Sequence, residues 1–242
     1  LSTLYAEITL YKNLIFKSQF GVDYSHTTGF SQSFPEYKPN LGDGSAARSS
    51  TDGLSLQVSN TLTYRFDIDN IHDFNFLIGQ EALTCHNERF SVTTKGQTNN
   101  KLTDISTGTR ATGWSSTSTS DYSTVSFFGR GEYNYADRYY ADFSVRTDGS
   151  SRFGKNSRWG AFGSVGLMWN LRNEPFAAHT RNWLTNGQIA LSSGTSGNSE
   201  IPYYEHMSLI GGGYEYMGDS GVAPVQPGNE SLTWENTWTS NL

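Results

Sequence analysis

The 242-residue chain carries 17 Lys+Arg against 23 Asp+Glu, a formal charge of −6, so its charge gives no general attraction to nucleic acid. Its single cysteine, Cys85, excludes an internal disulfide and a cysteine-based zinc site, and no run approaches the ~18 consecutive apolar residues of a membrane helix. Mean hydropathy is −0.54 although aromatics make up 14% of the residues and charged residues only 17%, so the polarity comes from Ser, Thr, Asn and Gly, a balance suited to strands with one apolar and one wet face.

Alternation with period two dominates the chain. A first strand is expected over 3–11, a two-residue turn at Lys12-Asn13, and a second strand over 14–27 with Leu14, Phe16, Phe20, Val22 and Tyr24 on one face. A long loop is expected over Thr28–Gly53. The strand at 54–67 sets Leu54, Leu56, Val58, Leu62, Tyr64 and Phe66 against Ser55, Gln57, Ser59, Thr61, Thr63 and Arg65. A short turn at Asp69–His72 leads to a strand at 73–86 and then a long polar stretch, Asn87–Ser120.

Strands at 121–135 and 139–148 flank the short turn Ala136–Arg138. Asp148–Ser157 reads as a connection of medium length, with Asp148-Gly149 supplying the turn because glycine tolerates positive φ. The strand at 158–171 aligns Trp159, Ala161, Val165, Leu167, Trp169 and Leu171 on one face. Only Glu174–Leu184 has helical spacing; strands at 187–194 and 231–242 enclose a long Gly-rich connection, Thr195–Glu230. The six prolines, Pro35, Pro39, Pro175, Pro202, Pro224 and Pro227, all fall between these nine strands, where a missing N–H breaks no ladder.

Short and long connections alternate, and strands of up to 14 residues exceed the ~9–11 needed to cross hydrocarbon at a tilt. Outer-membrane barrels sort their turns in this way, and Tyr11, Tyr24, Tyr64, Tyr135, Tyr139, Trp159 and Trp169 fit their interfacial girdles. The expectation is an all-β fold: an antiparallel transmembrane β-barrel, here a partial barrel of about nine strands forming a single segment over 1–242. Both ends fall inside alternating patterns, which suggests a segment of a longer polypeptide, and no signal peptide is recognisable.

Catalytic signatures are absent from the sequence. His26, His72, His86, His179 and His206 have no metal-type spacing and are expected as solvated loop residues. Cys85-His86-x-Glu88 offers too few ligands for a metal and suits a barrel rim, and Trp114–Ser120 lacks a nucleophile elbow. Gly149-Ser-Ser-Arg-Phe-Gly154-Lys155 has the spacing of a phosphate loop, but Asn156 breaks the motif and a strand follows where a helix is required. Arg152 and Lys155 are expected as a solvated rim or a pairing set. Lys17, Gln19, Asp23, Gln57, Arg65, Arg130, Glu132, Asn134, Asp142, Arg146 and Arg172 form a lumen-facing set expected to pair across strands. Trp114, Tyr203, Tyr204, Tyr214 and Tyr216 lie in polar loops without alternating partners, so they are the substrate-binding candidates; the competing role is loop packing.

The run SFFGRGEYNYADRYYADFSVRTDGSSRFGKNSRWGAFGSVGLMWNL, Ser126–Leu171, closely resembles the barrel of SusC/RagA-family TonB-dependent transporters, with the family's YNY, R-DGSSRFG and RWG-FPS-S-GW elements. The residues that carry the likeness are Asp148, Gly149, Ser150, Ser151, Arg152, Phe153, Gly154, Arg158, Trp159 and Gly160. SSGTSGN, with Gly197 and Asn198, is similar to SYG-TGN, and NESLTWENT, with Trp234 and Glu235, is similar to NP-L-WE. Proline is missing after Phe162, and Glu230 stands where the family usually has proline.

The resemblance implies a Bacteroidetes-type source and an outer-membrane importer of oligosaccharides, or of peptides in some members. It also implies a SusD-like surface lipoprotein, a TonB–ExbB–ExbD energy source acting through parts not in this chain, surrounding outer-membrane lipid, and no cofactor. The family's barrel has about 22 strands around a plug, so nine strands without a plug amount to part of such a transporter. A small barrel protease of the omptin type would need facing Asp and His at the rim, and a soluble glycan-binding β-domain would need to fold without detergent.

Overall fold

The computed structural model describes residues 1–36, 43–108, 110–180 and 182–242; the side chains of 110–114 fall outside that description. Among the described residues nine strands form one antiparallel sheet in the order β1 (Ser2–Tyr11), β2 (Leu14–Ser33), β3 (Gly44–Ile68), β4 (His72–Gln97), β5 (Arg110–Tyr135), β6 (Tyr139–Ser150), β7 (Trp159–Asn170), β8 (Gln188–Asn198) and β11 (Glu235–Asn241). A separate hairpin, β9 (Leu209–Tyr216) and β10 (Asp219–Gln226), lies between β8 and β11 in sequence.

The tight turns follow the sequence closely. Asn13 has φ 61°, and Asp69-Asn70 and Ala136-Asp137 have positive φ at both residues, the primed geometry that matches strand twist. Asn134 secures the last turn by accepting from the Asp137 N–H at 3.0 Å and donating to the Asp137 carboxylate at 2.6 Å.

Several expectations are corrected. Most of Thr28–Gly53 and Asn87–Ser120 is strand, because β2 runs to Ser33, β3 begins at Gly44, β4 runs to Gln97 and β5 begins at Arg110. Ser and Thr dominate those segments on both faces, so they suit strands while showing no apolar contrast. Asp148-Gly149 is not a turn: it pairs with Gly160 and Trp159 inside the β6–β7 ladder, and Gly149 has no positive φ. Its missing Cβ instead makes room for the Trp159 indole, which would stand 3.1 Å from such an atom. Pro224 lies inside β10, at a register shift where no ladder N–H is required. The helical segment is two short 3-10 stretches, Leu171–Asn173 and Pro175–Thr180.

Two compact units are present. The first comprises Leu1–Ser2, Gly21–Leu56 and Thr84–Asp121. Its enclosed residues include Ala46 and Gln97, and Gln97 Nε2 donates to Thr94 Oγ1. The second comprises Thr3–Phe20, Gln57–Leu83 and Tyr122–Leu242, and it holds the buried Phe153 and Trp234.

Candidate functional site

The two faces of the second unit's sheet differ in chemistry. On one face Phe66 stacks on Phe74 at 4.9 Å, Phe74 meets Tyr133 at 4.8 Å, Phe127 stacks on Trp159 at 6.3 Å, and Tyr139 stacks on Trp169 at 6.4 Å. On the other face Arg65 meets Asp73 at 2.7 Å, Asn75 Nδ2 donates to Glu132 at 2.7 Å, and Arg130 pairs with Glu132 at 2.7 Å. Arg146 pairs with Asp148 at 2.7 Å and donates to Ser126. A polar recess of about 370 Å³ is lined by Arg65, Asp73, Arg130, Glu132, Tyr140 and Asp142. Arg65–Asp73, Asn75–Glu132 and Arg146–Ser126 join neighbouring strands, whereas Arg130–Glu132 and Arg146–Asp148 pair along a single strand. Elsewhere Lys17 lies over the Tyr5 ring, Asp23 stands 3.7 Å from the Leu1 amino group, and Arg172 donates to the Leu184 carbonyl.

The motif residues gather around one knot. Ser150 Oγ accepts from the Arg152 N–H at 3.3 Å, and Ser151 Oγ accepts from the Ser123 N–H at 2.9 Å, so the two serines tie the β6–β7 connection back to the sheet. Phe153 is fully buried, 5.3 Å from the Trp234 ring, and Trp234 meets Phe162 edge-on at 5.4 Å. Trp234 Nε1 donates to the Arg158 carbonyl, and Gly154 lies so close to Glu230 that a Cβ there would stand 2.9 Å from its carbonyl oxygen. Gly160 and Gly197 both leave room for the tip of the Phe162 ring. Asn198 Nδ2 donates to Glu235 at 3.2 Å and joins the ends of β8 and β11.

Arg152 is not a solvated rim residue. Its side chain is 10% exposed, and its guanidinium lies beside the stacked Tyr122–Tyr203 pair, 4.7 Å from the first ring centroid and 4.9 Å from the second. It donates to the Ser199 and Ile201 carbonyls, both at 3.2 Å, and stands 3.3 Å from Glu200. No local pattern marks Tyr122 for this role, because its partner lies on a distant connection. Lys155 remains exposed.

The loop aromatics therefore separate. Tyr203 packs on Arg152 and Tyr122, and Tyr204 adopts φ 65° while its carbonyl accepts from Gln226. Tyr214 and Tyr216 are exposed on β9, beside a Met217-Gly218 turn with positive φ at both residues. The Trp114 side chain lies outside the described residues.

Among the histidines, His26 bonds Asp52 at 2.7 Å, His72 bonds Tyr133 at 2.7 Å, and His86 pairs with Asp121, all from strands rather than loops. His206 is buried and bonds the Arg152 carbonyl at 3.0 Å. Among the described residues no group of three His, Cys, Asp or Glu is placed to hold a metal, and no helix is long and apolar enough to cross a membrane, which leaves strands untouched.

No family model matches the sequence. TonB-dependent receptor P3 of Formosa agariphila is 29% identical over 98% of this chain and 24% of its own length. TonB-dependent receptor SusC of Bacteroides thetaiotaomicron is 37% identical over 48% of this chain and 12% of its own length. The solved RagAB peptide transporter superposes on 97% of this chain and 26% of its own, with 33% identity and a TM-score of 0.87. The chain thus spans about a quarter of the length of relatives that match it throughout. With a nine-stranded antiparallel sheet and these relatives, the chain belongs to the TonB-dependent receptors of the SusC/RagA type, as a partial β-barrel.

Proposed function

We propose that this chain, as a single barrel segment, forms part of an outer-membrane importer that carries oligosaccharides or peptides into the periplasm. A SusD-like surface lipoprotein would present the substrate, and TonB–ExbB–ExbD would supply the energy. The observation that carries this reading is the chemical split between the faces of the same strands: stacked aromatics on one, ion pairs such as Arg65–Asp73 and Arg130–Glu132 on the other. An aromatic band suits hydrocarbon and its interfaces, and a paired polar lattice suits a lumen. Transport through such a lumen involves no covalent chemistry.

Of the loop aromatics, Tyr214 and Tyr216 have the accessible faces on which a sugar ring or peptide side chain stacks, whereas Tyr203 and Tyr204 support the connection that carries them. Trp114 remains a further candidate by sequence. Deleting the gene and growing the strain on single glycans or on peptides as sole carbon source tests the reading. Selective loss of growth on one substrate class supports import, and unchanged growth and uptake on every class overturns it. Replacing Tyr214 and Tyr216 with Ala should then lower uptake at limiting substrate while leaving the amount of barrel in the membrane unchanged.

A further inference from the structure

The aromatic face of the sheet carries a polar relay among its apolar side chains. Ser18 donates to Asn60 Oδ1 at 2.7 Å, and Asn60 Nδ2 donates to Gln80 Oε1 at 3.0 Å, a relay across β2, β3 and β4. Asn60 lies in register with Leu62 and Phe66, and Gln80 with Phe74, so the relay shares the face of the stacked rings. It runs one way and ends on the Gln80 amide, whose Nε2 meets no acceptor among the described residues. Beside it opens an apolar groove of about 740 Å³, walled by Phe16, Leu62, Ile78, Phe127 and Val145 over the bare backbone of Gly129.

We propose that this groove is a binding site for an ester-linked membrane lipid, with one acyl chain along the groove and its ester carbonyl accepting from Gln80 Nε2. This rests on the outer-membrane reading above, which turns the aromatic face toward lipid. In hydrocarbon a donor without an acceptor is costly, and polar residues there mark a function by default. The bilayer carries its own acceptors as acyl ester carbonyls near the headgroups. The groove reaches that depth, because its wall residue Phe127 stacks on Trp159, a strand-end aromatic of the kind found at headgroup level. The volume falls within the roughly 300–1,000 Å³ of small-molecule sites.

The test uses the protein extracted from membranes in detergent. It is exposed to palmitoyl-oleoyl phosphatidylethanolamine or to the diether analogue, which has the same chain and headgroup types but no ester carbonyls. Retained lipid is counted by native mass spectrometry. The ester lipid should be retained about tenfold more than the diether, the effect of one good hydrogen bond. Gln80→Leu should erase that preference. Gly129→Leu should abolish retention of both lipids, because a Cβ at Gly129 meets nothing closer than 3.7 Å and the longer side chain would fill the groove.

Heat-modifiable migration of both variants should confirm a folded barrel. Equal retention of ester and diether lipids by the wild type, or an ester preference that survives Gln80→Leu, overturns the proposal. So does a lipid-free two-copy species that Gly129→Leu dissociates, because a second copy would then be the occupant. A protein that dissolves without detergent overturns the outer-membrane reading and this one with it. Membrane insertion without ester selectivity overturns only this one.

Discussion

The indole of Trp234 donates a 3.0 Å hydrogen bond to the carbonyl of Arg158, 76 residues earlier in the chain. The same ring closes over Phe153 and Phe162, so one side chain joins the β6–β7 connection to the start of β11. Trp234→Phe keeps most of the ring and removes the donor, and should cost about 1–2 kcal/mol. Trp234→Ala also opens a cavity and should cost about 3–5 kcal/mol. Urea unfolding of the barrel in detergent micelles, followed by tryptophan fluorescence and gel mobility, checks the order.

Gly197→Ala should also destabilise the knot. A Cβ there would collide with the tip of the Phe162 ring, and that tip cannot move toward Gly160, whose own missing Cβ already makes room for it. Overpacking of this kind costs about 1–3 kcal/mol. Adding Phe162→Leu should recover part of the loss, so the two changes should be less than additive in a double-mutant cycle.

Arg152→Lys keeps the charge and loses the planar group packed against both Tyr122 and Tyr203. The bonds to the Ser199 and Ile201 carbonyls go with it, and those carbonyls must find water. The expected result is local: amide exchange over 199–208 rises roughly 5- to 30-fold, a loss of about 1–2 kcal/mol, while exchange in β6 and β7 changes little.

Glu174 gives a pH dependence. Its carboxylate accepts from Tyr139 and from Trp169 Nε1 at 2.9 Å, with Arg138 at 3.5 Å, and these contacts hold its pKa below the usual carboxylate range. A carboxyl that titrates lower in the folded state stabilises fully above its unfolded value of about 4.3 and loses that contribution as pH falls through the folded value. Glu174→Gln should lower the unfolding midpoint at pH 7. The gap between variant and parent should narrow as pH falls below the unfolded value and close once pH has passed the lower folded value, which a urea series across pH measures.

The legible parts of the fold were those with apolar contrast. The turns at 12–13, 69–72 and 136–138 stood out because alternation continues up to them, and β6 and β7 emerged nearly at their true bounds. The far ends of β2 to β5 did not, because runs such as Ser49-Ser50-Thr51 and Ser115-Ser116-Thr117 are polar on both faces. The β9–β10 hairpin was hidden by Gly211-Gly212-Gly213 and by Pro224, which bulges accommodate. The motifs marked where the knot lies, but its internal pairing required the structure. Tyr122 reaches Arg152 across strands, and no local pattern announces such a contact.

The enclosure of Phe153 also has a temporal side. Its cover includes Trp234, which a ribosome adds 81 residues later, so a growing or truncated chain that ends before Trp234 leaves this ring bare. Closing so long a loop is slow relative to forming the neighbouring hairpins. The knot thus records completion. It can form only once β11 has begun, and until then an uncovered phenylalanine marks the barrel wall as unfinished to any chaperone that recognises exposed apolar surface.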